Sequence, residues 1–413
     1  MTIGVGGSRP EQEYANLKDM SAGARDISLA EYSSRLALAQ ELMRQQNIAV
    51  LYANAGTNLY YFTGTRWHLS ERMLGAIILR HGEVHYIAPE FERGTLIDYM
   101  QIRGEVSCWQ EHENPYLLLH DILKTRGITS GCVAIDESTP FFMFDGIRSA
   151  GSQLHYSNAQ SITQTCRMIK SEAEIALLQR AKNMTLEVHK AAARILHPGI
   201  STTEVVEFID KAHKRVGAPG GSSFCIVLFG QATAYPHGVK YPQSLEDGDM
   251  VLIDTGCQIY GYNSDITRTY VYGEPTSRQR EVWNVEKAAQ ASAFAAARLG
   301  DPCSAVDQSA RETIDRFGFG PDYEIPGLPH RTGHGIGLDI HEAPYLVRNN
   351  QTPLAKGMCI SNEPMICIPG EFGIRHEDHF YMTDTGPRWF TQPAHSIDDP
   401  FGQGVEYGYE AAP

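Results

Sequence analysis

Two pairs of acidic residues flank turns in β-like sequence, and they constrain the fold more than any other feature of the chain. Asp254 and Asp265 lie on either side of a turn that includes Tyr260-Gly261. Glu363 and Glu377 are likewise almost equidistant from a second turn. Because a tight turn joins antiparallel strands, each pair is predicted to lie side by side on a hairpin.

Four carboxylates at close range cannot all remain ionised unless cations balance them. His334 lies between the two pairs in sequence, and its flanking glycines let the backbone approach closely and aim the ring. Two divalent ions about 3.5–4 Å apart would balance the carboxylates, and a hydroxide shared by both ions would be the nucleophile. One imidazole with oxygen donors is a hard ligand set that suits Mn²⁺ best, with Co²⁺, Fe²⁺ or Zn²⁺ as alternatives.

The triplet Asp254-Thr255-Gly256 recurs as Asp384-Thr385-Gly386, as it would in an aspartic protease. Aspartic proteases are mostly β, whereas strong helix formers fill much of the sequence between these triplets, as in residues 281–299. The second triplet precedes Pro387 and is typical of a turn. We therefore assign the first triplet to the metal site and reject the aspartic protease.

Length, charge and cysteine content limit the class of protein. A chain of 413 residues suggests two domains. A net charge of −14 argues against a nucleic acid or an anionic membrane as a partner. The eight cysteines include no CxxC pair, and the N-terminus resembles neither a secretory signal nor a membrane anchor. These features indicate a cytoplasmic protein with reduced thiols.

Helix and strand signals divide the chain near residue 165. Alternating helices and strands predict an α/β domain over residues 1–165. An α+β domain is predicted over residues 166–413, in which the stretches 190–217 and 293–318 echo each other as helix, Pro-containing break and helix. Three Ser-x-x-Glu capping boxes mark predicted helix starts: Ser28/Glu31, Ser171/Glu174 and Ser201/Glu204.

The second domain contains an ordered set of motifs: Asp254-Thr255-Gly256, Asn263-Ser264-Asp265, Gly333-His334-Gly335-Ile336-Gly337, Glu363-Pro364 and Gly373-Ile374-Arg375-His376-Glu377-Asp378. This set resembles the pita-bread metallopeptidases, namely Xaa-Pro dipeptidase (prolidase), aminopeptidase P and methionine aminopeptidase. Residues 58–64 are similar, more weakly, to the N-terminal domain of creatinase and prolidase.

This resemblance implies a pita-bread catalytic domain, a smaller N-terminal α/β domain and a homodimer. It also implies metal-dependent hydrolysis of the peptide bond before proline, in dipeptides, through a hydroxide that bridges two metals. Two alternatives stay open: an aminopeptidase P that acts on longer peptides, and a pita-bread enzyme with hydrolase or lyase activity on a small non-peptide molecule. A non-catalytic binding module is disfavoured, because such a protein has no need of a complete ligand set.

The resemblance also assigns roles to residues. Asp265 and Glu377 would bridge the metals, and Glu363, besides binding metal, would carry a proton to the leaving nitrogen. The implied metal ligands are Asp254, Asp265, His334, Glu363 and Glu377. His237 and His341 would hydrogen-bond the scissile carbonyl oxygen.

Three further residues are candidates for contacts outside the ligand set. Arg375, two residues before Glu377, would orient that carboxylate or pair with a carboxylate of the substrate. Arg66 and Trp67 in the first domain are expected to contact the substrate.

Two residues depart from the family pattern. Met365 and Cys367 stand where the family usually has glycine and tyrosine. The tyrosine hydroxyl that often supports the tetrahedral intermediate is therefore missing, which keeps the non-peptide alternative open.

Overall fold

The structure is a computed structural model that describes residues 2–151 and 153–404. The chain divides into two compact units. The smaller unit is Asp26–Arg167, and the larger unit combines the described residues before 26 with those from 168 onward. Among the described residues we find no helix whose length and apolar character would let it traverse a bilayer.

The N-terminal residues differ from the predicted division at 165, because they pack with the larger unit. Helix α1 (Pro10–Asn16) begins this part of the chain. Tyr14 stacks on Phe208 with ring centroids 4.8 Å apart, and Arg194 Nε donates to the buried Glu13 carboxylate at 2.9 Å. These contacts join residues far apart in sequence, so the order of helices and strands did not predict them.

The smaller unit is built on a mixed six-stranded sheet within the described residues, in the order β4-β3-β2-β1-β5-β6. Its strands are β1 (Ile48–Asn54), β2 (Gly75–Leu79), β3 (His85–Pro89), β4 (Glu105–Trp109), β5 (Cys132–Ile135) and β6 (His155–Asn158). The helices of this region are α2 (Leu29–Gln45), α3 (Thr57–Thr63), α4 (Arg93–Tyr99), α5 (Pro115–Thr125), α6 (Phe141–Ala150) and α7 (Gln160–Met168), with a 3₁₀ turn at Glu90–Glu92. The β2–β3 hairpin predicted from the sequence is confirmed by its antiparallel register, in which Gly75 pairs with Ile87.

The larger unit contains two pairs of consecutive long helices. Complete capping boxes begin α8 at Ser171 and α9 at Ser201, as the sequence predicted. A third box, Thr276 with Gln279, begins α10. The helices are α8 (Glu172–Arg194), α9 (Thr202–Arg215), α10 (Ser277–Ala296) and α11 (Cys303–Arg316).

The strands of the larger unit form two sheets and a separate hairpin. The first sheet has the order β10-β8-β7 with β9 on β8, the second has the order β12-β11-β13-β16-β17, and β14 pairs with β15. The strands are β7 (Ser222–Phe229), β8 (Met250–Ile259), β9 (Tyr262–Asn263), β10 (Ile266–Val271), β11 (Gly333–Gly335), β12 (Glu342–Leu346), β13 (Cys359–Asn362), β14 (Met365–Ile368), β15 (Phe372–Arg375), β16 (Asp378–Thr383) and β17 (Gly386–Trp389), with a 3₁₀ turn at Gly230–Ala234.

Each helix pair covers a different part of this β structure. Helices α8 and α9 contact β8 and β7, whereas α10 and α11 contact β12 to β15. Trp283 of α10 is 1% exposed, and its Nε1–H donates to the Thr269 carbonyl at 2.9 Å. The two stretches that echo each other in sequence therefore fold alike, as consecutive helices packed on strands.

Candidate metal centre

Strands β8 and β10 position the first acidic pair. They are antiparallel, as predicted, with Thr267 opposite Asp254, and Asp265 immediately precedes β10. The backbone of Ser264 passes so close to Gly256 of β8 that a Cβ at position 256 would lie 1.8 Å from the Ser264 carbonyl oxygen. The glycine of the first triplet therefore allows the close backbone contact beside Asp265.

The β14–β15 hairpin positions the second pair. Met365 pairs with Arg375, so Glu363 and Glu377 lie two residues beyond the open end of the hairpin. Glu377 also forms a β-bridge with Thr267, whose Oγ1 donates to Glu377 Oε2 at 2.9 Å. This bridge joins the second acidic pair to the strand that follows the first pair.

His334 lies on β11 with its Nε2 directed at the carboxylates. Its Nδ1–H donates to the Gly335 carbonyl at 3.0 Å, and its backbone N–H donates to Ser361 Oγ at 2.8 Å. The Nε2 atom is 3.0 Å from Glu363 Oε1, 3.8 Å from Asp265 Oδ2 and 3.9 Å from Glu377 Oε1. The hydrogen bond from Nδ1 to the Gly335 carbonyl fixes the ring so that Nε2 is free to bind a metal, as is usual for a metal-binding imidazole.

The buried carboxylates are poorly compensated by protein groups alone. Burial, and next the Glu377 carboxylate, raise the pKa of Asp265 well above its usual value. Burial, and next the Glu363 carboxylate, do the same to the pKa of Glu377. Within the described residues Asp254 Oδ1, Asp265 Oδ1 and Glu377 Oε1 are buried without a hydrogen-bond partner. Divalent cations would satisfy these atoms, so the donor set fits metal ions.

Several groups of possible ligand atoms have the spacing that a cation requires. His334, Glu363 and Glu377 each offer one atom, and these atoms lie within 4.8 Å of one another. Asp265 belongs to two further groups, one with His334 and His341 and one with Glu377 and a residue not predicted, His379. The structure thus brings the predicted residues together, and their assignment as ligands stays a prediction.

Asp254 is held by Arg375. Arg375 Nη2 donates to Asp254 Oδ2 at 2.6 Å, and both side chains are at most 10% exposed. The predicted contact of Arg375 with Glu377 is indirect, because Arg375 Nε is 3.2 Å from Thr267 Oγ1, which donates to Glu377. Arg375 Nη1 donates to the Pro236 carbonyl at 3.2 Å. Each nitrogen of the guanidinium thus has a partner within the protein, and the predicted pairing of Arg375 with a substrate carboxylate stays a prediction.

A cavity of about 640 Å³ opens onto these carboxylates. His237 and His341, the two histidines predicted to contact the substrate, line this cavity, and both are exposed. The cavity walls remove part of the water around the exposed His341 ring, and this desolvation, and next His334, lower the pKa of His341 to about 4, so its imidazole is neutral at neutral pH. A neutral imidazole carries one N–H that can donate to a carbonyl oxygen.

The cavity also contains residues that the sequence reasoning missed. Arg331 lines it beside His330, with its guanidinium 4.4 Å from the centre of the Tyr345 ring. Phe224, Ile226 and Ile340 supply apolar wall. The sequence could have indicated Arg331, because it lies three residues before His334 and a residue so near a predicted ligand must lie near the metal site.

Arg66 and Trp67 belong to the smaller unit. Arg66 is exposed and donates from Nη2 to the Tyr60 hydroxyl at 2.8 Å. Trp67 makes an edge contact with Tyr99 at 6.0 Å. Their predicted contact with substrate stays a prediction.

The second triplet forms a turn, as predicted. Thr383 pairs with Gly386 where β16 turns into β17, and the exposed Asp384 carboxylate accepts a hydrogen bond from Lys356 Nζ at 2.6 Å. The aspartic-protease alternative is excluded by this surface position.

A two-sheet α+β unit that gathers carboxylates and a histidine around a cavity defines a metallohydrolase of the pita-bread class. Residues 176–384 match the model of metallopeptidase family M24, and residues 35–169 match the creatinase/prolidase N-terminal domain. The chain belongs to metallopeptidase family M24, and its predicted fold class and family resemblance are confirmed.

Individual relatives cover almost the whole chain. An Xaa-Pro dipeptidase of Pyrococcus furiosus is 31% identical over 87% of this chain and 97% of its own length. The crystal structure of dipeptidase PepE from Mycobacterium ulcerans has a TM-score of 0.83 and 31% identity, covering 90% of this chain and 99% of that one. An X-Pro aminopeptidase from Thermotoga maritima has a TM-score of 0.76 and 26% identity, covering 88% and 98%.

Proposed function

We propose that the protein is an Xaa-Pro dipeptidase with two divalent ions in its active site. The observation that carries this proposal is the convergence of His334, Glu363, Glu377 and Asp265 on one cavity. A volume of about 640 Å³ is enough for a dipeptide. The similarity to an Xaa-Pro dipeptidase of Pyrococcus furiosus supports the choice of substrate.

The proposed ligands supply four carboxylates and one imidazole: Asp254, Asp265, His334, Glu363 and Glu377. Bound divalent ions would lower the pKa of the attacking water and polarise the scissile carbonyl. Asp265 and Glu377 each have two oxygens and would bridge the ions. This hard donor set favours Mn²⁺, with Co²⁺, Fe²⁺ or Zn²⁺ as alternatives.

Three side chains of the cavity would act on the substrate directly. Glu363 would take a proton from the attacking water and deliver it to the leaving proline nitrogen. Burial alone would raise the pKa of Glu363, but the positive groups around it, His334 first and then His330 and Arg375, together lower it to about 2. Glu363 is therefore ionised at neutral pH. His237 and His341 would donate hydrogen bonds to the carbonyl oxygen as it gains negative charge.

Arg331 is a second candidate for the substrate carboxylate, besides Arg375. Its guanidinium stacks on Tyr345 and lines the cavity, which leaves its N–H groups available to a carboxylate. The apolar wall of Phe224 and Ile226 would accept the proline ring. The bond before proline lacks an N–H, so polarisation of the carbonyl rather than recognition of the amide must activate it.

A second candidate function rests on the two departures from the family pattern. Cys367 is 2% exposed, and burial raises its pKa to about 12, so it stays a neutral thiol and a weak donor. Met365 Sδ is 3.5 Å from Arg375 Nη1 and fills the position of the usual glycine. Elimination on a small zwitterion would form no tetrahedral intermediate and so would not need the missing hydroxyl; C–N hydrolysis of such a molecule is the other form of this candidate.

The remaining proposals concern assembly and location. We propose a homodimer, in which Arg66 and Trp67 contact substrate, and no nucleic-acid or membrane partner. All eight cysteines are free thiols, which supports a reducing compartment such as the cytoplasm.

Substrate length and charge test the proposal. Manganese-loaded enzyme should hydrolyse Ala-Pro and leave Ala-Pro-Ala almost untouched. The reverse result would assign aminopeptidase P activity, and no turnover of either peptide with metal bound would favour the non-peptide function.

The role of Arg331 has a separate test. The Arg331→Gln variant should raise KM for Ala-Pro while leaving kcat/KM for Ala-Pro-amide unchanged, because only the acid offers a carboxylate. Equal effects on the acid and the amide would refute the role of Arg331.

A further inference from the structure

His379 lies beside Asp265 and Glu377, on strand β16, which follows Glu377 in the chain. The residues at positions 377 and 379 are two apart on an extended segment, so their side chains share one face. His379 Nε2 is 3.9 Å from Glu377 Oε1. One atom each from Asp265, Glu377 and His379 lie within 4.8 Å of one another, which is the spacing of metal ligands.

The imidazole of His379 is left without ordinary polar contacts. It is fully buried, and among the described residues neither ring nitrogen makes a hydrogen bond of acceptable length and angle. Leaving a buried donor or acceptor without a hydrogen bond is energetically unfavourable. A cation at this position would remove that cost.

His376 offers an internal comparison, since it flanks Glu377 on the other side. It is also fully buried with both ring nitrogens unsatisfied among the described residues. Its ring instead faces Trp283 at 4.6 Å and Glu286 Oε2 at 3.4 Å. No group of possible ligand atoms in the described chain includes it. Burial alone therefore does not single out His379, whereas its position among the carboxylates does.

We propose that His379 is a sixth protein ligand of the metal centre and binds an ion together with Asp265 and Glu377. The centre then contains two imidazoles, His334 and His379. A second nitrogen donor shifts preference from Mn²⁺ toward Co²⁺, Fe²⁺ and Zn²⁺. This inference concerns the ions alone and does not depend on which substrate the enzyme cleaves.

Cobalt binding tests the proposal without an activity assay. Co²⁺-loaded wild-type protein, His379→Asn and His376→Asn are compared by chelator competition and by proton NMR, in which each cobalt-bound imidazole N–H gives a hyperfine-shifted exchangeable signal. His379→Asn should lose one such signal and bind its more weakly held Co²⁺ at least about 10–100-fold less tightly. His376→Asn should keep every signal and the wild-type affinity.

Two results would overturn the assignment. One is a His379→Asn protein with the signals and the cobalt affinity of wild type, and the other is an equal loss in both variants. If His379→Asn does not fold, anomalous diffraction from cobalt-loaded wild-type crystals decides the matter. An ion should then lie about 2.1 Å from His379 Nε2, and every cobalt peak lying beyond ligand distance would refute the proposal. The metal preference gives a further check, since His379→Asn should bind Mn²⁺ relative to Co²⁺ better than wild type does.

Discussion

Arg268 ties the strand beside Asp265 to the segment that carries Glu377, and its removal should destabilise the larger unit strongly. Its guanidinium donates to Asp378 at 2.7 and 3.2 Å. It also donates to the carbonyls of Thr267 at 3.0 Å, Glu377 at 3.1 Å and Gln392 at 3.0 Å. Arg268 is 1% exposed and Asp378 is fully buried, so solvent cannot replace the lost partner.

The Arg268→Met change keeps most of the side-chain volume and removes the charge. Breaking a buried ion pair on one side costs about 3–5 kcal/mol, which corresponds to a fall in melting temperature of roughly 5–15 °C for a unit of this size. Calorimetry of the metal-free protein measures this shift. Arg280→Met is the matched control, because Arg280 pairs with Glu274 and Asp398 at the surface, where such pairs contribute about 0–1 kcal/mol.

A double variant separates the charge effect from other losses. Asp378→Asn combined with Arg268→Met removes both charges, so the two changes should cost much less together than the sum of their separate costs. The carbonyls that Arg268 satisfied stay unpaired, so the double variant should not regain wild-type stability. Additive costs, or an Arg268→Met shift no larger than that of the surface control, would refute the reasoning.

Three more outcomes follow from the structure. Burial lowers the pKa of His213 to about 4. The unfolded chain therefore binds a proton between pH 7 and pH 5 that the folded chain does not bind at His213. This residue should contribute about 2 kcal/mol to the loss of unfolding free energy over that range, so His213→Gln should lose about that much less than wild type in urea titrations. Cys367→Tyr should raise kcat on Ala-Pro by on the order of tenfold or more if the missing hydroxyl limits turnover, while an unchanged kcat in a folded variant would show that the chemistry was altered elsewhere. Removing metal with a chelator should lower the melting temperature, and an ion restored at about 100 times its Kd should return about 2.7 kcal/mol of stability, whereas a melting temperature indifferent to metal would contradict a bound ion.

Local sequence signals predicted the elements of this fold well. The capping boxes at Ser171 and Ser201 and the β2–β3 hairpin depend on residues close together in the chain, so short-range rules were sufficient. The family motifs likewise supplied an ordered ligand set. No single motif predicts that these residues meet at one cavity.

Contacts between distant residues were beyond the same reasoning. Arg375 lies two residues from Glu377, and strand alternation placed both on one face, yet its guanidinium pairs with Asp254, 121 residues earlier. The packing of α1 against Phe208 depends in the same way on residues brought together by the tertiary fold. His379 shares the strand face of Glu377 but belongs to no expected motif, so only the three-dimensional neighbourhood distinguishes it from His376.

The register of one short hairpin determines how the second acidic pair reaches the metal centre. Glu363 and Glu377 stand two residues beyond the pair formed by Met365 and Arg375, so both are in register with that pair. Strand side chains alternate with period two, and a slip of one residue in β15 would send Glu377 to the opposite face. The β-bridge to Thr267 and the hydrogen bond from its Oγ1 hold Glu377 in this register from the other hairpin. Two hairpins distant in sequence thus fix each other's acidic residues, which explains why the spacing around each turn, more than the turn residues themselves, specifies the site.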